Sequence, residues 1–288
     1  MINADQINPP KSEAIGPRNR SQHIPAIELR GATLAYGDRE LWSELNLQVQ
    51  PGEFVAVLGP NGAGKTSLLR VLLGQQPLAA GTVAICGRPV RTGSRLIGYV
   101  PQEKSIDLHA PLRSRDFVGL GLDGHRWGFT LPSRSRRLRI DSALADVGAS
   151  AYADAPLSLL SGGERQRLRI AQALITDPRV LLCDEPLISL DLSHQSAVTE
   201  LISRACRDRG VACLFVTHEI NPILPVADRV VYFASGRARI GTPDEVMRTD
   251  VLTDLYRAPI EVIRRGDRIV VFGAEDVPHH PHESGEHR

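Results

Sequence analysis

The apolar positions of this 288-residue chain fall into short blocks rather than long stripes. Phe54–Leu58 (FVAVL), Val180–Cys183 and Val211–Val216 are continuous apolar runs, the pattern of strands buried on both faces. Ile27–Leu34 and Leu45–Val49 alternate apolar and polar residues, as half-buried strands do, and Pro51-Gly52 marks a turn. Thr82–Ile85, Ile97–Val100, Arg229–Phe233 and Ile269–Phe272 are further short strand candidates. Helical character is expected over Thr66–Leu73, over Ile140–Val147 up to a Gly148 stop, and over Glu164–Ile175 before Asp177-Pro178. A last helix is expected over Ser196–Arg209, ended by Gly210. Apolar strands alternating with helices predict a parallel sheet covered on both faces. Strand signals fade between Pro101 and Leu160, which predicts a mostly helical insert. No internal repeat is visible.

The two ends lack this patterning. Residues 1–23 are rich in Pro, Asn, Ser and Arg and read as a disordered arm without the apolar core of a secretory signal; the His-containing residues 274–288 read as a disordered tail. No apolar run approaches the roughly 20 residues needed to cross a bilayer. A membrane role would therefore come through a partner.

Composition narrows the classes further. Hydrophobic residues at 42% and charged residues at 23% are those of a folded globular chain. A net charge of +1 and 5% aromatics argue against nucleic acid as a partner, which would ask for a basic surface or stacking rings. Cys86, Cys183, Cys206 and Cys213 form no C-x-x-C pair and read as reduced thiols.

Three segments carry chemistry. Gly59-Pro60-Asn61-Gly62-Ala63-Gly64-Lys65-Thr66 fits G-x-x-x-x-G-K-[ST], with a buried strand before it and a helix after it. The glycines let successive backbone N–H groups converge on an anion, and the helix adds about half a positive charge at its N-terminus. Lys65 is expected to reach the β- and γ-phosphates of a nucleotide, and Thr66 to offer a hydroxyl to Mg²⁺; Ser67 lies beside it. Asp184 and Glu185 close the apolar strand Val180–Cys183, at the strand end where open α/β sheets bind ligands. Asp184 suits Mg²⁺, and Glu185 suits a general base for water. Neighbouring strand residues face opposite ways, so the two carboxylates are expected to have different tasks. The third segment is Ser161-Gly162-Gly163-Glu164. Ser161 and Glu164 form a capping box, but two glycines in a first turn each cost up to about 1 kcal/mol and suggest close approach of a second anion. A second anion site beside one phosphate loop suggests a nucleotide shared by two copies of the chain.

Together these segments resemble the ATP-binding subunit of ABC transporters, over about residues 25–245. The fold so implied is an α/β P-loop NTPase (RecA-like) core with an antiparallel β-subdomain and a helical subdomain at about 103–163, all within 24–273. LSGGERQR from Leu160 to Arg167 resembles the family's signature motif. By the same resemblance, Tyr36 stacks on adenine, and Gln102 touches Mg²⁺ or water and senses the γ-phosphate. Ser189-Leu190-Asp191 crosses a dimer interface, and His218 contacts the γ-phosphate. Leu187 stands where many relatives have Thr. The resemblance implies ATP and Mg²⁺ as cofactors and a head-to-tail dimer with two ATPs between the copies. It also implies integral membrane permease subunits and, indirectly, an extracytoplasmic solute-binding protein, with the chain peripheral at the cytoplasmic face.

The kind of ABC protein follows by exclusion. Fused exporters carry membrane spans, and the short interval from Gln102 to Ser161 leaves no room for the coiled coils of chromosome-organising relatives. A single phosphate loop argues against the two-cassette translation factors. Tyr99–Leu122, Ser189–Gln195 and Val251–Gly273 resemble the zinc and manganese importers. The alternatives are iron-siderophore or cobalamin-type importers, or a cytosolic ABC regulator without a membrane partner. His279, His280, His282 and His287 could bind zinc weakly or be a solvated tail. Arg134, Arg136, Arg137 and Arg139 read as a solvated face that could also meet anionic lipid or a membrane partner.

Overall fold

The computed structural model describes residues 24–102, 112–124, 133–188 and 190–273. The first strands are β1 (Ile27–Tyr36), β2 (Arg39–Val49), β4 (Ala80–Ile85) and β5 (Arg88–Pro89). They form an antiparallel sheet in the order β2-β1-β4-β5. The second sheet has six strands: β3 (Phe54–Leu58), β6 (Ile97–Val100), β7 (Val180–Asp184), β8 (Ala212–Val216), β9 (Arg229–Ala234) and β10 (Arg237–Gly241). Their order is β10-β9-β3-β8-β7-β6, parallel throughout except for β10.

The three continuous apolar runs become the central strands, buried at every position. Alternation along each run sorts its side chains into two cores. Phe54, Ala56, Leu181, Cys183, Cys213 and Phe215 enter one core. Val55, Val57, Leu182, Leu214 and Val216 enter the other. Phe54 and Phe215 stack with ring centres 5.3 Å apart. Each such side chain contributes roughly 1.5–3 kcal/mol relative to exposure. The first core is closed by α2 (Ser114–Asp123), α3 (Arg134–Asp146), α4 (Gly162–Leu174), α5 (Leu192–Arg209) and α7 (Thr249–Tyr256). The second is closed by α1 (Lys65–Leu72) and the antiparallel sheet. A short helix α6 (Pro243–Val246) and a hairpin of β11 (Glu261–Arg265) and β12 (Arg268–Phe272) complete the described chain.

Several boundaries differ from the sequence expectation. Helix α3 starts at Arg134 rather than Ile140, because Ser133 caps it by accepting the Arg136 N–H at 3.1 Å. Helix α5 starts at Leu192 rather than Ser196, with Asp191 as its cap. The arginine cluster is not one solvated face. Arg136 pairs with Asp123 at 2.7 Å, and Arg139 donates to the Ile175 carbonyl at 2.8 Å. The four cysteines are free thiols, three buried and Cys86 half-buried. Among the described residues no helix is long and apolar enough to cross a membrane. The expected arm, the histidine tail and Ser189 lie outside the described residues.

Strand register positions the site. Asp184 pairs with Val216, and Val57 pairs with the same residue from the other side. The segments starting at Gly59, Glu185 and Thr217 therefore leave the sheet side by side.

Candidate active site

The loop after β3 has the curvature an anion cradle needs. Gly59 has φ 138°, and a Cβ there would stand 2.2 Å from the Phe233 carbonyl oxygen. Gly64 has φ 92°, and its Cβ would stand 2.7 Å from Trp42 Nε1. Neither position admits another residue without rearrangement. Between them the Ala63 N–H donates to the Pro60 carbonyl at 3.3 Å, closing a turn over Asn61 and Gly62. Lys65 is buried, and its ammonium donates to the Gly59 and Pro60 carbonyls at 2.6 and 2.9 Å. The exposed ring of Tyr36 is brought to the loop by its hydroxyl, 3.5 Å from Ser67 Oγ. Trp42, under the loop and 5.9 Å from the Phe233 ring, gave no sign of this place in the sequence.

At the end of β7 the two carboxylates part. Asp184 is buried and accepts from Thr66 Oγ1 at 3.1 Å and from the Tyr99 hydroxyl at 3.5 Å. Burial pushes its carboxyl above the ordinary value; the Thr66 hydrogen bond opposes the shift and Glu185 adds to it. Tyr99 is pushed up to about 12, first by burial and then by the Asp184 charge. Glu185 lies beyond the strand, so the pleat does not set its direction. It turns away because its backbone is left-handed, φ 49°, with its N–H on the Val216 carbonyl at 3.0 Å. A non-glycine residue held there carries strain, a feature that collects at functional sites.

Gln102 and His218 meet at that glutamate. Gln102 Nε2 donates to Glu185 Oε2 at 2.9 Å, and His218 Nε2 contacts Glu185 Oε1. A cleft of about 300 Å³ opens beside them, lined by Leu187, Ile188, Leu190, Gln195 and Thr217. Thr66 and Asp184 together present oxygen ligands, the donor set that suits a hard cation such as Mg²⁺. The convergent N–H groups and Lys65 fit a polyphosphate.

The third segment is held by its own helix cap. Ser161 and Glu164 form the expected capping box: the Glu164 N–H donates to Ser161 Oγ at 3.3 Å, and the Ser161 N–H donates to Glu164 Oε2 at 2.8 Å. The hydrogen bonds of Ser161 stay within its own helix. The two glycines separate into different explanations. A Cβ on Gly163 would meet His194 Cδ2 at 2.4 Å, so the glycine gives the His194 ring of α5 its place against this turn. A Cβ on Gly162 would meet nothing nearer than Leu190 Cδ2 at 3.9 Å, so packing leaves it unexplained. Asp191 accepts from Ser193 Oγ, from the His194 N–H and from His194 Nδ1 at 2.7 to 2.9 Å. These bonds, the backbone one foremost, hold its carboxyl well below the usual range.

A glycine loop around an invaginated lysine, with a carboxylate pair at the end of β7, one strand removed in the same sheet, defines a nucleoside-triphosphate-binding α/β protein. The sequence profile of the family described as ABC transporter matches residues 42–188. A zinc transport system ATP-binding protein, TroB of Treponema pallidum (strain Nichols), is 33% identical over 72% of this chain and 77% of its own length. A manganese transport system ATP-binding protein, MntB of Halalkalibacterium halodurans, is 27% identical over 86% of this chain and 98% of its own. A solved structure described as a metal-chelate type ABC transporter in an inward-facing conformation superposes with TM-score 0.72 at 25% identity. It covers 86% of this chain and 96% of that one. The chain belongs to the ABC transporter family, as one of its ATP-hydrolysing, ATP-binding members, with the P-loop NTPase fold expected of it.

Proposed function

We propose that the chain is the energy-coupling subunit of an ABC importer, hydrolysing ATP to drive uptake of a metal cation, zinc or manganese. The observation that carries this cargo is the match to TroB and MntB along 77% and 98% of their own lengths. In this reading residues 24–273 form the ATPase domain, and the helical subdomain at about 103–163 docks on membrane permease subunits. An extracytoplasmic solute-binding protein feeds them, and the chain sits peripherally at the cytoplasmic face.

The residues then divide the work. Gly59, Pro60, Asn61, Gly62, Ala63, Gly64, Lys65 and Ser67 hold the phosphates, and Tyr36 stacks on the base. Thr66, Asp184 and Gln102 would hold Mg²⁺, which would supply positive charge against the phosphates. Glu185 orients the attacking water and takes its proton. Gln102 and His218 fix the Glu185 carboxylate in place from two sides, which favours this role. Ser161, Gly162, Gly163 and Asp191 serve the nucleotide of a second copy in a head-to-tail dimer. The spare room at Gly162 supports that reading.

A metal-chelate cargo is the second reading, favoured by the structural likeness to the metal-chelate type transporter. The test is whole-cell elemental analysis of the native host in metal-poor medium, comparing wild type with Glu185→Gln. The variant is expected to lose at least about 100-fold in ATP turnover and to lower cellular zinc or manganese selectively. An unchanged metal profile with turnover lost removes the metal-cation cargo.

A further inference from the structure

His218 lies on a loop with two anchors. On the sheet side, the Thr217 N–H donates to the Val57 carbonyl at 3.1 Å. Beyond the histidine, Thr217 Oγ1 donates to the Glu219 carbonyl and accepts its N–H, both at 3.2 Å, which folds the chain sharply. The next anchor is Asn221. Its Nδ2 donates to the Ile269 carbonyl at 2.9 Å, and its Oδ1 accepts the Ile269 N–H at 2.8 Å. The side-chain amide thus pairs with one residue of β12 as a neighbouring strand would, using both of its partner's backbone groups.

The partner is itself firmly mounted. Ile269 is buried in the main core. On the other strand of the hairpin, the Val262 N–H donates to Thr249 Oγ1 at 3.0 Å. Just before it, the Ile260 N–H donates to Thr253 Oγ1 at 3.2 Å. Both threonines belong to α7. Ile220 and Ile223, either side of Asn221, are buried and hold their stretch of loop by apolar contact. Apolar contact is non-directional. The paired amide is therefore what fixes register along β12.

We propose that Asn221 is a positioning residue for ATP hydrolysis: it ties the histidine loop to the C-terminal hairpin, and the hairpin thereby sets where His218 stands against Glu185. This rests on the role assigned to His218 above. The residues after Gly241, which contribute no side chain to the site, then act on turnover through one amide. A bidentate amide has a fixed length and direction, so losing it releases the loop at its far end while the Thr217 anchor remains. Reaction geometry is steep in such displacements, since a misplacement of about 1 Å can cost 100-fold.

The test uses the full chain and steady-state ATP hydrolysis. Asn221→Ala and the near-isosteric Asn221→Asp, which sets a carboxylate against the Ile269 carbonyl, are compared with His218→Ala and Thr249→Ala. Thr249→Ala loosens the same hairpin away from the loop. The expected result is a fall in kcat of about 10-fold or more for both Asn221 variants, with KM for ATP within about two-fold. Thr249→Ala should lose clearly less kcat than either Asn221 variant, because the Thr253 bond and the buried Ile269 still mount the hairpin. Unchanged kcat in the Asn221 variants overturns the inference, provided His218→Ala is slow. Equal losses for Thr249→Ala and Asn221→Ala also overturn it, because general loosening of the hairpin then suffices. An active His218→Ala removes instead the role given to the histidine.

Discussion

Asp184 illustrates what a single side chain costs its own protein. Burial disfavours its charge, so its folded pKa lies above the ordinary carboxylate value. Between those two values the folded chain binds the extra proton, and stability falls as pH rises through that window. Above that window the penalty is fully present. Asp184→Asn keeps an acceptor for Thr66 and removes the charge. It is expected to raise the nucleotide-free melting temperature at pH 7 by about 2 °C or more, with the gain fading as the pH drops towards the ordinary carboxylate value. Scanning calorimetry at several pH values checks this, and ATP turnover should be lost in the same variant. The neighbouring glycines give a sharper contrast. Gly163→Ala meets the His194 ring and should cost about 1–3 kcal/mol. Gly162→Ala has room and should leave the denaturation midpoint close to wild type.

At the scale of elements, caps and register account for most of the site. Ser161→Ala removes the capping-box acceptor of α4 and should destabilise by about 1 kcal/mol in urea titration. The central strands were legible in the sequence because burial on both faces leaves only apolar residues, and their observed ends differ from the expected ones by a residue at most. The phosphate loop was legible because its residues are contiguous. The sequence pattern shortens helix α3, because its buried positions, Ile140, Ala143 and Leu144, begin only at its midpoint, behind four arginines. Strand β10 went unseen, since an edge strand with half-buried, arginine-rich positions shows no period. Gln102, Glu185 and His218 come from three distant segments and were joined through family resemblance alone. Tyr99 was missed for a related reason. Its place beside Asp184 depends on β6 pairing parallel to β7, with Tyr99 opposite Leu182, and no local pattern encodes that pairing.

For the whole molecule, the proposed sharing of a nucleotide between Ser161 of one copy and the phosphate loop of another makes association a testable part of the reading. Glu185→Gln with ATP is expected to sediment as a dimer at concentrations where the nucleotide-free protein does not. Adding Gly162→Asp should abolish that dimer without lowering the melting temperature, because the space at Gly162 is open within one copy; a persistent dimer would separate Gly162 from the interface. The buried thiols have a use of a different kind. Cys183 on β7, Cys213 on β8 and Cys206 on α5 all lie in one core, whereas Cys86 is half-buried. Burial also pushes the Cys213 thiol up, with Cys183 and Cys206 beside it, which slows its alkylation further. A pulse of iodoacetamide followed by mass measurement therefore works as a stopwatch built into the chain. One label reports the folded surface, and three more arriving together mark the moment at which α5 and the sheet part company as a unit.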